Sequence, residues 1–430
     1  MRFPMTGRRM IAAAGRSVLG ATAALLQIVG ITALLFGALN YAAYLDEPAA
    51  PAPVDDTFSA SLWPGSPASL PVLRAIFGVS TDGEAMARFN ASPGFAFHPT
   101  LPFATARVDN RFYRIGLEGA RYQPGWTDAY VESLLRGDRP MGFMLGGSTL
   151  LGHGLAGNET MPYYLNEIVA PSGLTFVNFG AQAYDQRAEI DKLIYLLKRG
   201  YRPRVVIFLD GWNDLFLARS NMRLEDDVIF HGFSLNRAEI AFTPGAMLPS
   251  VDRLKLFAES LPLYRWLEAR ERPKRDVAGI PFDRDAFTAG FDFREADYVF
   301  RHWAAYGELH RAAFEDKIVR YYRSNLMLLR TLAQGYGFRL LVFFQPMTFL
   351  EPGNPFVTPA ARRAPGYRYI EDMVKTVRAH IASGDLPMID LSDALDGVRG
   401  YRSIDIAHYA PASNRALAEA VARELAAPQP

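Results

Sequence analysis

Residues Pro203–Asp214 read PRVVIFLDGWND. Within them, Val205–Leu209 is a run of five apolar residues, three of them β-branched, closed by a proline on one side and a glycine on the other. Such a run is too short for a helix and has no polar alternate positions, which marks a strand buried on both faces. The same signature recurs outward from it, at Met141–Leu145, Leu174–Phe179, Arg339–Phe344 and, more briefly, Met388–Leu391. Helical patterns fall between these strands, near Glu159–Val169, Ala188–Arg199, Lys317–Gln334 and Tyr369–Ile381, and Ala412–Ala426 closes the series. Strands and helices in alternation predict an α/β fold of three layers, a parallel sheet with helices on both faces.

The chain has 430 residues, 50% hydrophobic and 21% charged, which excludes a disordered protein and is ample for a large core. Its 46 Lys+Arg against 45 Asp+Glu offer no global basic charge to attract nucleic acid. The absence of cysteine excludes disulfides, thiolate metal ligands, a thiol nucleophile and a lipidated cysteine.

That charge balance conceals an asymmetry. Arg2, Arg8, Arg9 and Arg16 precede an uncharged, mostly apolar run from Ser17 to Leu45, and Asp46, Glu47, Asp55 and Asp56 follow it. Without those four arginines the chain has 42 basic residues against 45 acidic ones. About 20 apolar residues span a bilayer as a helix, and the basic flank stays in the cytoplasm. Residues 1–16 are therefore expected to be a cytoplasmic tip and 17–45 a transmembrane signal-anchor. The rest is expected to be extracytoplasmic, in the periplasm. A cleaved signal peptide, with small residues at Ala42-Ala43, is the competing reading. The run is about twice the roughly 7–15 residues of a signal core, which favours retention.

Residues 46–57, rich in Pro, Ala and Asp, read as a linker. Residues 58–135 form an N-terminal extracytoplasmic region with a short helix near Leu70–Phe77 and loops around it. Residues 136–430 form the main domain. Its interruption at about 215–315 carries Trp266, Phe287, Phe291, Phe293 and Trp303 and is expected to be a largely helical insertion, placed to act as a lid.

Ligands bind at the carboxyl ends of parallel strands, so the residues that follow each strand matter most. They are Gly146-Gly147-Ser148-Thr149, Asn178-Phe179-Gly180 and Gly211-Trp212-Asn213-Asp214, with Asp405-Ile406-Ala407-His408 before the last helix. Together they can supply one reaction. Ser148 is a nucleophile if a base takes its proton, and His408 can act as that base near neutral pH. Asp405, three residues earlier, can hold the imidazole in orientation. The Ser148 N–H, the Gly180 N–H and the Asn213 amide are candidate donors to an oxyanion.

Read in this order, the blocks resemble the SGNH/GDSL hydrolase family over about residues 136–215 and 315–428. The Gly-Asp-Ser-Leu motif that names the family stands here as Gly146-Gly147-Ser148-Thr149, without the acid beside the serine. The resemblance implies a flavodoxin-like sheet and a Ser148-His408-Asp405 triad, with Ser148, Gly180 and Asn213 as the oxyanion hole. It also implies hydrolysis of acyl esters with no cofactor or metal. The anchor points to a substrate in the cell envelope, a lipid or a glycan. Transfer of the acyl group to a sugar hydroxyl would use the same residues, and a non-catalytic envelope binding or assembly protein is the third reading.

Other chemistries fit less well. The elbow of an α/β-hydrolase needs a glycine where Leu150 stands. No HExxH, Walker or GxGxxG pattern is present. His153, five residues after Ser148, is expected to head the first helix or to line the rim of the site.

Overall fold

The computed structural model describes residues 69–91, 93–96, 98, 100–218 and 308–427. The expected cytoplasmic tip, transmembrane helix and linker, and nearly all of the expected insertion, lie outside the described residues. Among those described, no helix is long and apolar enough to cross a membrane.

Five strands form one parallel sheet: β1 (Met141–Gly146), β2 (Thr175–Asn178), β3 (Val205–Asp210), β4 (Arg339–Phe344) and β5 (Ile389–Asp390). Their order across the sheet is β2-β1-β3-β4-β5. Phe143 on β1 lies opposite Val177 on one side and Val206 on the other, and Val206 in turn faces Leu340. β1 and β3 are buried along their whole length, as their unbroken apolar runs require. With β2 on one side of β1 and β3 on the other, the chain reverses direction across the sheet at β1. A crevice opens at such a switch point, beyond the carboxyl ends of β1 and β3.

Alternate residues of each strand point to opposite faces, which builds the three layers. On one face Phe143, Leu145, Val206 and Phe208 pack in one apolar cluster with helices Gln186–Lys198, Glu308–Tyr336 and Pro365–Ala382. On the other, Met144, Ile207 and Leu209 pack with Leu165 of helix Met161–Val169 and with Leu417 and Val421 of helix Pro411–Ala426.

Two elements differ in length from the sequence expectation. The helix expected over 317–334 begins at Glu308, because its polar first turns (ELHRAAFE) obscure its apolar stripe. β5 is only two residues long, since Pro387 has no N–H to extend the ladder. The region 58–135 holds more helix than expected. Leu70–Phe77 (α1) is present as read, and Asp82–Asn90 (α2) and Asp128–Arg136 (α3) stand where loops were expected. Both missed helices begin at a threonine cap. Thr81 accepts from the Glu84 N–H, and Thr127 accepts from the Tyr130 N–H, each at 3.2 Å.

Candidate active site

β1 ends at Gly146, and the chain turns through Gly147 into a single helical turn, Ser148–Leu151. Both glycines are needed for packing. A Cβ on Gly146 would lie 2.7 Å from the Leu150 Cβ, and one on Gly147 would lie 2.3 Å from the Asn213 Nδ2. The turn after β1 and the turn after β3 thus touch through a residue with no side chain. Ser148 is the first residue of its helical turn, so its N–H has no intrahelical acceptor.

The histidine expected as base arrives from far along the chain. Residues 403–409 form a tight loop in which Ser403 bridges Tyr409 and the Ile404 N–H donates to the His408 carbonyl at 2.8 Å. Asp405 organises this loop: its Oδ1 accepts from the N–H groups of Ala407 (2.7 Å) and His408 (2.6 Å). Its Oδ2 lies 2.5 Å from His408 Nδ1, and His408 Nε2 lies 2.8 Å from Ser148 Oγ. Burial works to raise the Asp405 carboxyl, but His408, its hydrogen bonds and nearby His153 together hold it below the ordinary carboxylate value. It is therefore a carboxylate facing the imidazole at neutral pH.

Several residues that the sequence did not mark support this constellation. Asn354 donates to the carbonyls of Thr348 (2.9 Å) and Asp405 (3.2 Å). Thr149 donates to Gln345 Oε1 at 2.9 Å, tying the serine's turn to the end of β4. Arg121, only 2% exposed, lies over the Tyr113 ring at 4.3 Å and donates to the carbonyls of Leu151, Gly152, Leu155 and Phe112. It caps the carbonyl end of the serine's helical turn, a task no motif announces.

The expected oxyanion donors fare differently. The Asn213 amide donates to the Tyr184 carbonyl at 2.6 Å, which uses one of its two hydrogens. Gly180 is a correction. Its N–H donates at 2.8 Å to Asn178 Oδ1, and a Cβ there would lie 2.4 Å from the Leu151 N. It serves close packing of the β2 exit against the serine's turn and does not present its N–H to the cleft.

The next turn, 181–184, also follows β2. It is fixed at both ends, by the Ala181 N–H on the Gly146 carbonyl (3.0 Å) and by Asn213 on Tyr184. Between them Ala183 adopts φ +56°, a left-handed conformation that favours glycine. Its N–H has no hydrogen-bond partner among the described residues. A glycine there would have drawn attention in the sequence; an alanine did not.

Beneath the β3 turn lies a cluster of buried acids, Asp185, Glu189, Asp210 and Asp214. Asp214 accepts from the N–H groups of Gly211 (2.8 Å) and Gln186 (2.9 Å) and from the Tyr321 hydroxyl (3.0 Å), which fixes the turn bearing Asn213. Burial and the nearby Asp185 push its carboxyl up to about 6. Burial and then Asp210 raise Glu189 well above its ordinary value, and burial and then Asp214 raise Asp210 well above its own. Among the described residues, no three acids or histidines are arranged to hold a metal ion.

No family model matches the chain, and no curated protein matches it. Solved structures similar to it include a mutant of Axe2, an acetyl-xylooligosaccharide esterase from Geobacillus stearothermophilus. That chain is 13% identical, with a TM-score of 0.33, over 67% of this chain and 95% of that one. A second is TesA, 14% identical with a TM-score of 0.32, over 66% and 98%. A third is a member of the lipolytic protein G-D-S-L family from Veillonella parvula, 8% identical with a TM-score of 0.32, over 66% and 96%. At such distances a likeness carries no chemistry of its own, so any functional reading rests on the residues around Ser148.

Proposed function

We propose that the chain is a serine-dependent hydrolase of acyl esters, of the SGNH/GDSL type. The observation that carries this reading is the unbroken line from Asp405 Oδ2 through His408 to Ser148 Oγ, at 2.5 and 2.8 Å, joining residues 260 positions apart. The Ser148 Oγ attacks the acyl carbonyl as its proton passes to His408 Nε2. The resulting oxyanion is held by the N–H groups of Ser148 and Ala183 and by the free hydrogen of the Asn213 amide. The ester C–O bond breaks, the alcohol leaves with the proton from His408, and the acyl group remains on Ser148. Water then attacks the acyl-enzyme, giving its proton to His408, and the serine is restored as the carboxylic acid departs.

The basic tip and the uncharged run from Ser17 to Leu45 support a tether that places this chemistry outside the cytoplasmic membrane, on an envelope lipid or glycan. The test uses the full chain in detergent with short-chain nitrophenyl esters and a fluorophosphonate probe. Hydrolysis by the parent, a fall of about 10⁴–10⁶-fold in Ser148→Ala, and an adduct on Ser148 are expected. An adduct on another serine, or equal rates in parent and variant, would refute the assignment. Oligosaccharide acceptors that gain the mass of an acyl group would instead identify transfer as the second half of the reaction.

A further inference from the structure

His153 does not head the first helix. It follows the end of that turn, and its own N–H donates to the carbonyl of Ser148 at 3.1 Å. Its ring packs against the ring of His408, with centroids 4.6 Å apart and planes tilted by 35°. One residue is thus tied through its backbone to the expected nucleophile and through its side chain to the expected base. These two groups lie 260 positions apart and meet directly through His408 Nε2 on Ser148 Oγ.

The ring is held from two further directions. Gln182, in the same turn as Ala183, places its Nε2 3.3 Å from His153 Nδ1. Phe89, the penultimate residue of α2, meets the imidazole edge-on at 5.1 Å. α2 is in turn anchored to the segment after His153, since Arg88 donates to the Gly154 carbonyl at 3.0 Å and pairs with Glu159. Gly154, at φ +71°, lets this segment approach Ile404, the residue before Asp405. The charged and titratable groups around the ring are His408, Asp405 and Arg121. Burial, then His408 and Arg121, push the imidazole down to about 3 against the opposing pull of Asp405, so the ring remains uncharged.

We propose that His153 is a positioning residue: its ring, clamped by Phe89 and Gln182, is the surface against which the His408 imidazole is held in line with Ser148. The inference rests on the reading of Ser148 as nucleophile and His408 as its base. It also gives α2 a role in that reaction, although α2 lies in the region 58–135, outside the resemblance drawn from the motifs.

The test compares full-length His153→Ala, His153→Phe and Ser148→Ala with the parent. The readouts are kcat and KM for ester hydrolysis and the rate of fluorophosphonate labelling at Ser148. A displaced base costs up to about 100-fold for a shift on the order of 1 Å. His153→Ala should therefore lower kcat and the labelling rate by about 30- to 100-fold, with KM changed less than about threefold. His153→Phe keeps a flat ring of similar size and should retain activity within about tenfold of the parent. A kcat and labelling rate unchanged in folded His153→Ala would overturn the proposal. So would a loss in folded His153→Phe as large as that expected of His153→Ala, a result that can be read even if the alanine variant does not fold. Should Ser148→Ala keep full activity, the reading beneath the proposal fails instead, and the two failures are distinguishable.

Discussion

Asp405 shows how much a single side chain can be asked to do. One oxygen holds its own loop through two backbone N–H groups, and the other faces His408 Nδ1. Asp405→Asn keeps the size but presents a group that can favour the wrong imidazole tautomer, so kcat should fall by about 10⁴-fold with the fold intact by circular dichroism. Asn213→Ala removes one oxyanion donor and should lower kcat by about 10²–10³-fold, with KM little changed in steady-state assays. Ala183 carries the opposite prediction. Its left-handed φ is a strain that glycine relieves, so Ala183→Gly should raise stability by about 0.5–1 kcal/mol in urea unfolding while activity persists. Ser148 and Asn213, placed after strands, and Asp405 and His408, spaced by three before the last helix, were legible as a candidate set because their residue types suit proton transfer and donor chemistry. Ala183 and His153 were not, because an alanine advertises no backbone conformation and a histidine five residues from a serine has no fixed direction.

At the scale of elements, the strands were legible because β1 and β3 lie wholly in the interior, where each position must be apolar and no alternation is needed. The switch point followed less directly. Strand order depends on which side of β1 each crossover packs, and that choice belongs to helix faces that pair only in three dimensions. Gly180 illustrates the same limit. As a glycine after a strand it read as a donor to the cleft, whereas its value is the close approach of two backbones. Gly180→Ala would set a Cβ 2.4 Å from the Leu151 N, an atom that cannot rotate away. A loss of about 1–3 kcal/mol in chemical denaturation and a matching displacement of the Ser148 turn, seen as slower fluorophosphonate labelling, are expected. α2 and α3 had readable threonine caps, but their short apolar stripes gave no periodicity strong enough to outweigh the surrounding Pro and Gly.

For the whole molecule, the buried acids make stability depend on pH in two opposing ways. Asp405 is held below its ordinary value, so its contribution is present above the unfolded value and fades as pH falls through the folded one. Asp214 is raised from 3.8 to about 6, so between those values the native state holds a proton that the unfolded chain has released. Stability from this group is full below the unfolded value and is lost as pH rises through the folded one, by about 3 kcal/mol. Asp214→Asn should flatten the stability profile between about pH 4 and pH 6.5, measured by urea unfolding at intervals across that window.

The 260 residues that separate Ser148 from His408 also set a clock. A ribosome adds about 5–20 residues per second, so the serine emerges on the order of tens of seconds before the imidazole that would activate it exists. During that interval the nascent chain holds a nucleophile in name only. The order of the two residues thus keeps Ser148 without the Asp405–His408 pair until that later stretch has been made.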